Sequence, residues 1–233
     1  MSAEYEAVFI SDLHLGNDFV NIDLLQKFLT VIKPETETLY LVGDIFDTWR
    51  NCDPQKFLYL FEGFRKIVYL KGNHDGRFAG IDNPFPENAI ISERLEWQNF
   101  SGIVTHAHLF DPHFHKSSWW AKLLDSIIYM VSRIIGVDIK NNLGRIGKNY
   151  SDEIEKSASM SAKVFKADFM IIGHTHYGGE RRLNGVRLFN LGSWITKPFA
   201  LFRKGNQFSF IEVSNKKLIP GEVEYSQFHT SLK

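Results

Sequence analysis

A single cysteine, Cys52, among 233 residues leaves no partner for an intrachain disulfide, which fits a reducing compartment. An excess of charge of either sign is also missing. Lys and Arg together number 27, and so do Asp and Glu. No overall basic field draws in nucleic acid, and no nucleic-acid partner is expected. No uncharged apolar run approaches the ~18 residues that cross a bilayer as a helix. The first residues, Met-Ser-Ala-Glu-Tyr-Glu, lack the basic and apolar regions of a secretory signal, so a cytoplasmic location is expected. Internal repeats, heptad arrays and low-complexity tracts are absent from the sequence.

What the chain does have is core-forming material. Apolar residues make up 44% and aromatics 14%, enough for a full core in a single domain spanning 1–233. It also has nine histidines, unevenly placed. His14, His74, His106, His108, His174 and His176 all follow strand-like runs. Core or surface histidines have no reason to collect at strand ends, whereas the residues of a shared site do.

The leading run, Ala7 to Ile10, reads as a buried strand that breaks into Ser11-Asp12-Leu13-His14. Residues two apart on an extended segment point the same way, so Asp12 and His14 suit one cation. The alternative is an Asx-type turn. Residues 21–31 have apolar side chains at helical spacing, with Lys33-Pro34 as the stop. Thr38 to Val42 reads as a second strand, ending in Gly43-Asp44-Ile45-Phe46-Asp47-Thr48-Trp49. Helices between apolar strands predict βαβ units and a mainly parallel sheet. Asp44, like Asp12, then lies at the carboxyl edge, where open α/β sheets bind ligands; otherwise it caps a helix. Asp47 either supports the site or caps a turn. Pro54 to Phe64 reads as a helix and Lys66 to Leu70 as a third strand, followed by Gly72-Asn73-His74-Asp75-Gly76. The flanking glycines permit a sharp turn. Asn73 offers a neutral oxygen ligand, His74 an acid/base group near neutral pH, and Asp75 a partner that fixes its tautomer.

Residues 89–97 and Gly102 to Thr105 read as further strands, the latter ending in His106-Ala107-His108. His106 is the expected ligand and His108 a near neighbour. From Asp111 to about Asp168 the strand rhythm stops. Residues 119–139 are apolar and helical in period, with Trp120, Leu124, Ile127, Val131 and Ile134 on one stripe. Lys122, Asp125 and Arg133 argue against a membrane span. This is either a core-facing helix or part of a helical lid over about 111–167, whose apolar face meets a greasy substrate, a membrane surface or a second subunit. Gly144 to Tyr150 reads as a basic, glycine-flexible loop in which Arg145 and Lys148 grip a phosphate or face solvent. A helix is expected over 152–165, capped by Ser151 or Asp152. Phe169 to Ile172 reads as a buried strand ending in Gly173-His174-Thr175-His176, a pair that can divide itself between two adjacent metal ions. Residues 186–190, 199–203 and 207–213 predict short antiparallel strands in a second sheet packed on the first. The tail from Asn215 is expected to fray.

Asp12-Leu13-His14, Gly43-Asp44, Gly72-Asn73-His74-Asp75, His106 and Gly173-His174-Thr175-His176 occur in that order. The full set resembles the calcineurin-like metallophosphoesterases. The resemblance implies an α/β fold, a four-layered αββα sandwich with a dinuclear metal centre between its two sheets. It implies that Asp12, His14 and His176 hold one metal, that Asn73, His106 and His174 hold the other, and that Asp44 bridges both. The mixed oxygen and nitrogen set suits manganese, iron or zinc. Manganese is expected because related bacterial enzymes commonly use it. Two divalent ions ~3.5–4 Å apart acidify a bridging water and clamp phosphoryl oxygens. The resulting hydroxide attacks phosphorus in line with the leaving group. His74, oriented by Asp75, protonates the departing oxygen or stabilises the phosphoryl group.

Gly43-Asp44-Ile45-Phe46-Asp47-Thr48-Trp49, the insert after His106 and Asn190-Leu191-Gly192-Ser193-Trp194 are similar to one branch of that family, the UDP-2,3-diacylglucosamine hydrolase group. Those bacterial enzymes of lipid A synthesis cleave a pyrophosphate to give UMP and a lipid monophosphate beneath an apolar helical lid. The chain departs from the branch at two positions: His74 stands where the branch typically has Arg, and Ser193 where it has Asp. The expected activity is hydrolysis of a phosphoester or pyrophosphate, on a UDP-sugar lipid or on nucleotides or small metabolites. A non-catalytic scaffold of the same fold is the alternative class. Arg145, Lys148, His108, Trp120 and Leu124 are the expected substrate contacts, with peripheral contact of the lid at the inner membrane.

Overall fold

A computed structural model describes residues 3–50, 52–75, 85, 89–92, 94–97, 102–111, 130, 134 and 144–220. Four parallel strands build one sheet in the order of the chain: β1 (Tyr5–Ile10), β2 (Thr36–Val42), β3 (Ile67–Leu70) and β4 (Ala89–Ser92). Side chains alternate across a strand, so each of the first three serves two cores. Val8, Ile10, Leu39, Leu41, Ile67 and Tyr69 lie in the core shared with helix α1 (Ile22–Ile32). Ala7, Phe9, Tyr40, Val42, Val68 and Leu70 lie in a second core with residues of the other sheet. Helix α1 starts one residue later than its periodicity suggests because Asn21 is the cap. Its Oδ1 accepts from the Leu24 N–H at 3.0 Å. The helix buries Leu24, Leu25, Phe28, Leu29 and Ile32, which contributes on the order of 10 kcal/mol of gross apolar burial.

The second sheet has the order β5 (Arg94–Trp97), β6 (Gly102–Thr105), β7 (Phe169–Ile172), β9 (Val186–Asn190) and β8 (Gly179–Leu183). β6, β7 and β9 run parallel; β5 and β8 are antiparallel edges. Its other face packs Ile103, Met170, Ile172, Val186 and Leu188 on Ile154, Ala158 and Ala162 of helix α2 (Gly144–Val164). The order of packing is thus helix, sheet, sheet, helix. Both sheets are mixed.

Several elements differ from the sequence expectations. The expected helix at 54–64 is a 3-10 helix over Pro54–Leu60, capped by Asp53. The 89–97 run is divided between the sheets, β4 to the first and β5 to the second. β11 (Lys197–Lys204) and β12 (Gln207–Glu212) join the first sheet, not the second, with Val8 opposite Phe202. The reason is that β11 is buried on both faces. Ala200 and Phe202 join the α1 core while Leu201 joins the inter-sheet core. The two-residue strand β10 (Gly192–Ser193) pairs with β11. In the described part of the tail expected to fray, up to residue 220, Leu218 and Ile219 pack on the α1 core.

Helix α2 begins at Gly144, so residues 144–150 are helical rather than a flexible loop. Gly147 is there for space: a Cβ would collide with the Tyr177 hydroxyl. Lys148 is exposed on this helix. Among the expected substrate contacts, Trp120, Leu124 and the Arg145 side chain lie outside the described residues, as does most of the expected 119–139 helix. Among the described residues, no helix is long and apolar enough to cross a membrane.

Candidate metal centre

The carboxyl ends of β1, β2, β3, β6 and β7 converge. Each ends in a polar turn, and the turns interlock through the backbone. The Asp12 N–H donates to the Gly43 carbonyl at 3.0 Å and the His14 N–H to the Asp44 carbonyl at 2.9 Å. The His74 N–H donates to Asp44 Oδ1 at 2.7 Å, and the His174 N–H to Asp12 Oδ2 at 3.0 Å. Gly72 lets two of these turns touch, since a Cβ there would collide with the Asp44 carboxylate and N–H. The turns are also strained. Asp12, His14, Asp44, His174 and His176 have φ of 52°, 46°, 52°, 77° and 63°. Left-handed backbone is uncommon outside glycine, and its clustering at one site points to function.

Among the described residues three groups of donor atoms result, the atoms of each lying within 4.8 Å of one another: Asp12, His14 and His176; Asp44, His106 and His174; and His14, Asp47 and His74. Asn73 sits beside them in the β3 turn, and its Oδ1 is buried with no hydrogen-bond partner among the described residues. A buried acceptor without a donor is costly, and a cation relieves it.

The ring of His106 makes the same point. Its Nδ1 lies 3.0 Å from the Val42 carbonyl, which can only accept, so Nδ1 carries the hydrogen. The other nitrogen, Nε2, then faces Asp44 Oδ2 at 3.2 Å. Burial works against the charged ring, but the carboxylates of Asp44 and Asp12 outweigh it and raise His106 to about 10. Asp44, although burial pushes it up, is held well below the usual carboxylate range by His106, His74 and His14. A divalent cation between ring and carboxylate would take the place of a proton there. His14 Nε2 and His176 Nε2 likewise face each other at 3.1 Å, with Asp12 Oδ1 3.2 Å from His176 Nε2. The residues present therefore fit a pair of divalent ions. Asp12, His14 and His176 fall on one side, His106 and His174 on the other, with Asp44 in the second group.

His74 is buried next to these groups. Its Nδ1 lies 3.1 Å from Asp47 Oδ1, and the Trp49 ring stacks on it at 4.0 Å between centroids. Asp75, the expected orienting residue, is occupied elsewhere. Its carboxylate accepts from the Phe46 N–H at 2.8 Å and the Gly72 N–H at 3.0 Å. Burial and the charge of Asp44 push Asp75 up to about 6 against those hydrogen bonds. Asp47, left open between site support and a turn cap, is the residue that meets His74. His108 opens a 3-10 turn, with its ring centroid 5.6 Å from that of His106 and 6.4 Å from that of His174.

Two features had no sequence signal of their own. Asp111 is buried with Oδ2 3.0 Å from His174 Nε2, and Tyr150 of α2 donates its hydroxyl to the same oxygen. Behind Thr175, a buried polar group ties α2 to the turn. Ser151 Oγ lies 2.9 Å from Thr175 Oγ1. The Asn190 side-chain N–H groups donate to Thr175 Oγ1 at 2.6 Å and to Glu155 Oε1 at 2.8 Å, and Arg181 pairs with Glu155. Ser151, expected as a helix cap, is part of this network within α2.

With the fold and site in place, the chain belongs to the calcineurin-like phosphoesterase family, whose profile matches residues 6–178. More particularly, it is 27% identical over 236 residues to the UDP-2,3-diacylglucosamine hydrolase of Shewanella halifaxensis, covering 88% of this chain and 97% of that one. It is 23% identical to the enzyme of the same name from Haemophilus influenzae, covering 88% and 98%. Among solved structures, wild-type Vps29 complexed with Zn2+ from Entamoeba histolytica superposes with a TM-score of 0.48 at 13% identity, covering 89% of this chain and 99% of that one.

Proposed function

We propose that the chain is a hydrolase with a dinuclear metal centre that cleaves the pyrophosphate of a UDP-sugar lipid of the UDP-2,3-diacylglucosamine type, working with Mn2+ at the cytoplasmic face of the inner membrane. The observation that carries the metal-dependent reading is the meeting of carboxylates and imidazoles from five strand ends, with the orphaned Asn73 Oδ1 beside them. The substrate reading rests on the named relatives, which match along nearly their whole length, and on the motif Gly43 to Trp49.

Asp12, His14 and His176 would hold one ion and Asn73, His106 and His174 the other, with Asp44 shared. When bound, such ions supply Lewis-acid stabilisation of the phosphoryl oxygens and a more acidic water. The chain itself does the rest. Asp47 accepts from His74 Nδ1, and with the ring as an imidazolium Nε2 carries the second hydrogen, the one that passes to the leaving oxygen and leaves the ring neutral. Trp49 fixes the plane of that ring. Gly72 and the backbone bonds to Asp44 keep that carboxylate in one orientation.

One observation favours a second reading, a general phosphomonoesterase or phosphodiesterase on nucleotides or small metabolites. Position 74 carries His, paired with Asp47, where the lipid A branch typically has Arg. A Mn2+-supplemented panel of UDP-2,3-diacylglucosamine, ADP-ribose, cyclic nucleotides and aryl phosphates separates the two. Preference for the acylated pyrophosphate, with release of UMP, supports the first reading. Equal or faster turnover of the short soluble esters refutes it in favour of the second.

A further inference from the structure

The ring of His174 is held from behind. Its Nε2 lies 3.0 Å from Asp111 Oδ2, a carboxylate that is itself buried and that also accepts from the Tyr150 hydroxyl. A carboxylate oxygen has no hydrogen to give, so the shared hydrogen is on Nε2. The lone pair of the ring is then on Nδ1. The backbone of His174 is fixed independently, by its N–H bond to Asp12 and by a left-handed φ of 77°. A turn strained in this way has little freedom to re-aim its side chain, so the tautomer decides whether the ring can donate to a cation at all.

We propose that Asp111 and Tyr150 are positioning residues that set His174 as an Nδ1 ligand of one of the two metal ions. This inference rests on the dinuclear reading above. Asp111 lies just beyond the His108–Phe110 turn that follows β6, and Tyr150 lies on α2, so the pair links the second sheet's covering helix to one ion only. Histidine ligands whose second nitrogen donates to a carboxylate are better oriented and more basic, and loss of such a partner weakens metal binding about 10–100-fold. The hydroxyl of Tyr150 holds the carboxylate in turn. It is one step further from the ring and its removal costs less.

The test measures the two Mn2+ equivalents separately, by chelator competition with metal analysis, in the wild type, Asp111→Asn and Tyr150→Phe, and records the melting temperature of each metal-free protein. Asp111→Asn should weaken one equivalent about 10–100-fold and leave the other as it was, with turnover recovering as Mn2+ is raised. Tyr150→Phe should weaken the same equivalent by a smaller factor with little change in the metal-free melting temperature. Two equivalents unchanged in both variants, or weakened alike, would overturn the inference while leaving the metal centre standing. Should Asp111→Asn not fold, Tyr150→Phe decides by the same criterion. A wild-type chain that binds no Mn2+ would overturn the dinuclear reading, and this inference with it.

Discussion

Replacing His176 by glycine and by alanine separates two things that the native residue does at once. Its imidazole lies 3.1 Å from that of His14 and 3.2 Å from Asp12 Oδ1, and its backbone sits at φ 63°. Both variants delete the imidazole. Only one relieves the backbone. Left-handed conformation costs an L-residue about 1–2 kcal/mol, while alanine regains about 0.4–1 kcal/mol over glycine through the smaller entropy of its unfolded chain. The glycine variant should therefore be more stable than the alanine variant by about 1 kcal/mol, or about 2–4 °C in melting temperature for a chain of this size. Urea unfolding in EDTA measures the difference without interference from metal. Both variants should lose one Mn2+ equivalent to the same degree. Alanine equal to or more stable than glycine would refute the claim that the metal turns are strained.

Other perturbations reach other parts of the site. Asp47→Asn should lower turnover by about 10²-fold, the lower end of the ~10²–10⁴-fold range of general acid catalysis, with both metal equivalents retained; unchanged turnover would remove the Asp47–His74 pair from the chemistry. Gly72→Ala drives a methyl into Asp44 and should cost about 1–3 kcal/mol, along with metal binding, measurable by unfolding and metal analysis; a variant as stable as wild type that still loads two ions would contradict the contact. Burial, followed by the charges of Asp47, Asp53 and Asp75, pushes the Cys52 thiol up to about 11 despite a backbone hydrogen bond, so iodoacetamide at pH 8 should label it about two orders of magnitude more slowly than an ordinary thiol; a rate matching glutathione would refute this. Glu155 is raised above its ordinary 4.5, chiefly by burial. A carboxyl with a raised folded pKa binds its proton more tightly folded than unfolded, so its contribution to stability falls as pH rises from about 4.5 through the raised value. Glu155→Gln should lack that part of the slope, and identical pH profiles would exclude it.

The meeting of the candidate metal-binding residues was largely legible in the sequence because they follow apolar runs that must be buried, and parallel strands bring their carboxyl ends to one edge. Asp12, Asp44, His106 and His174 all meet there. The partners of those ligands were less legible, because partner choice is a matter of direction in space. Asp75 adjoins His74 in sequence, yet the N–H groups of Phe46 and Gly72 claim its carboxylate, and Asp47, 27 residues from His74, reaches the ring. Asp111 meets His174 across 63 positions, with no local pattern to mark it. Sheet membership was misread at β11 because a strand buried on both faces looks alike in either sheet. The start of α2 was misread because glycine suggests flexibility, whereas Gly147 answers to the Tyr177 hydroxyl packed against it.

The first sheet contributes Asp12, His14, Asp44 and Asn73, and the second contributes His106, His174 and His176. A pair of cations held among them, as the proposed function requires, would act as a rivet through the seam. A chain with only its first sheet assembled would have one imidazole of the proposed ligand set and would not retain both ions. On the proposed function, hydrolytic competence would therefore arrive only with the finished tertiary structure.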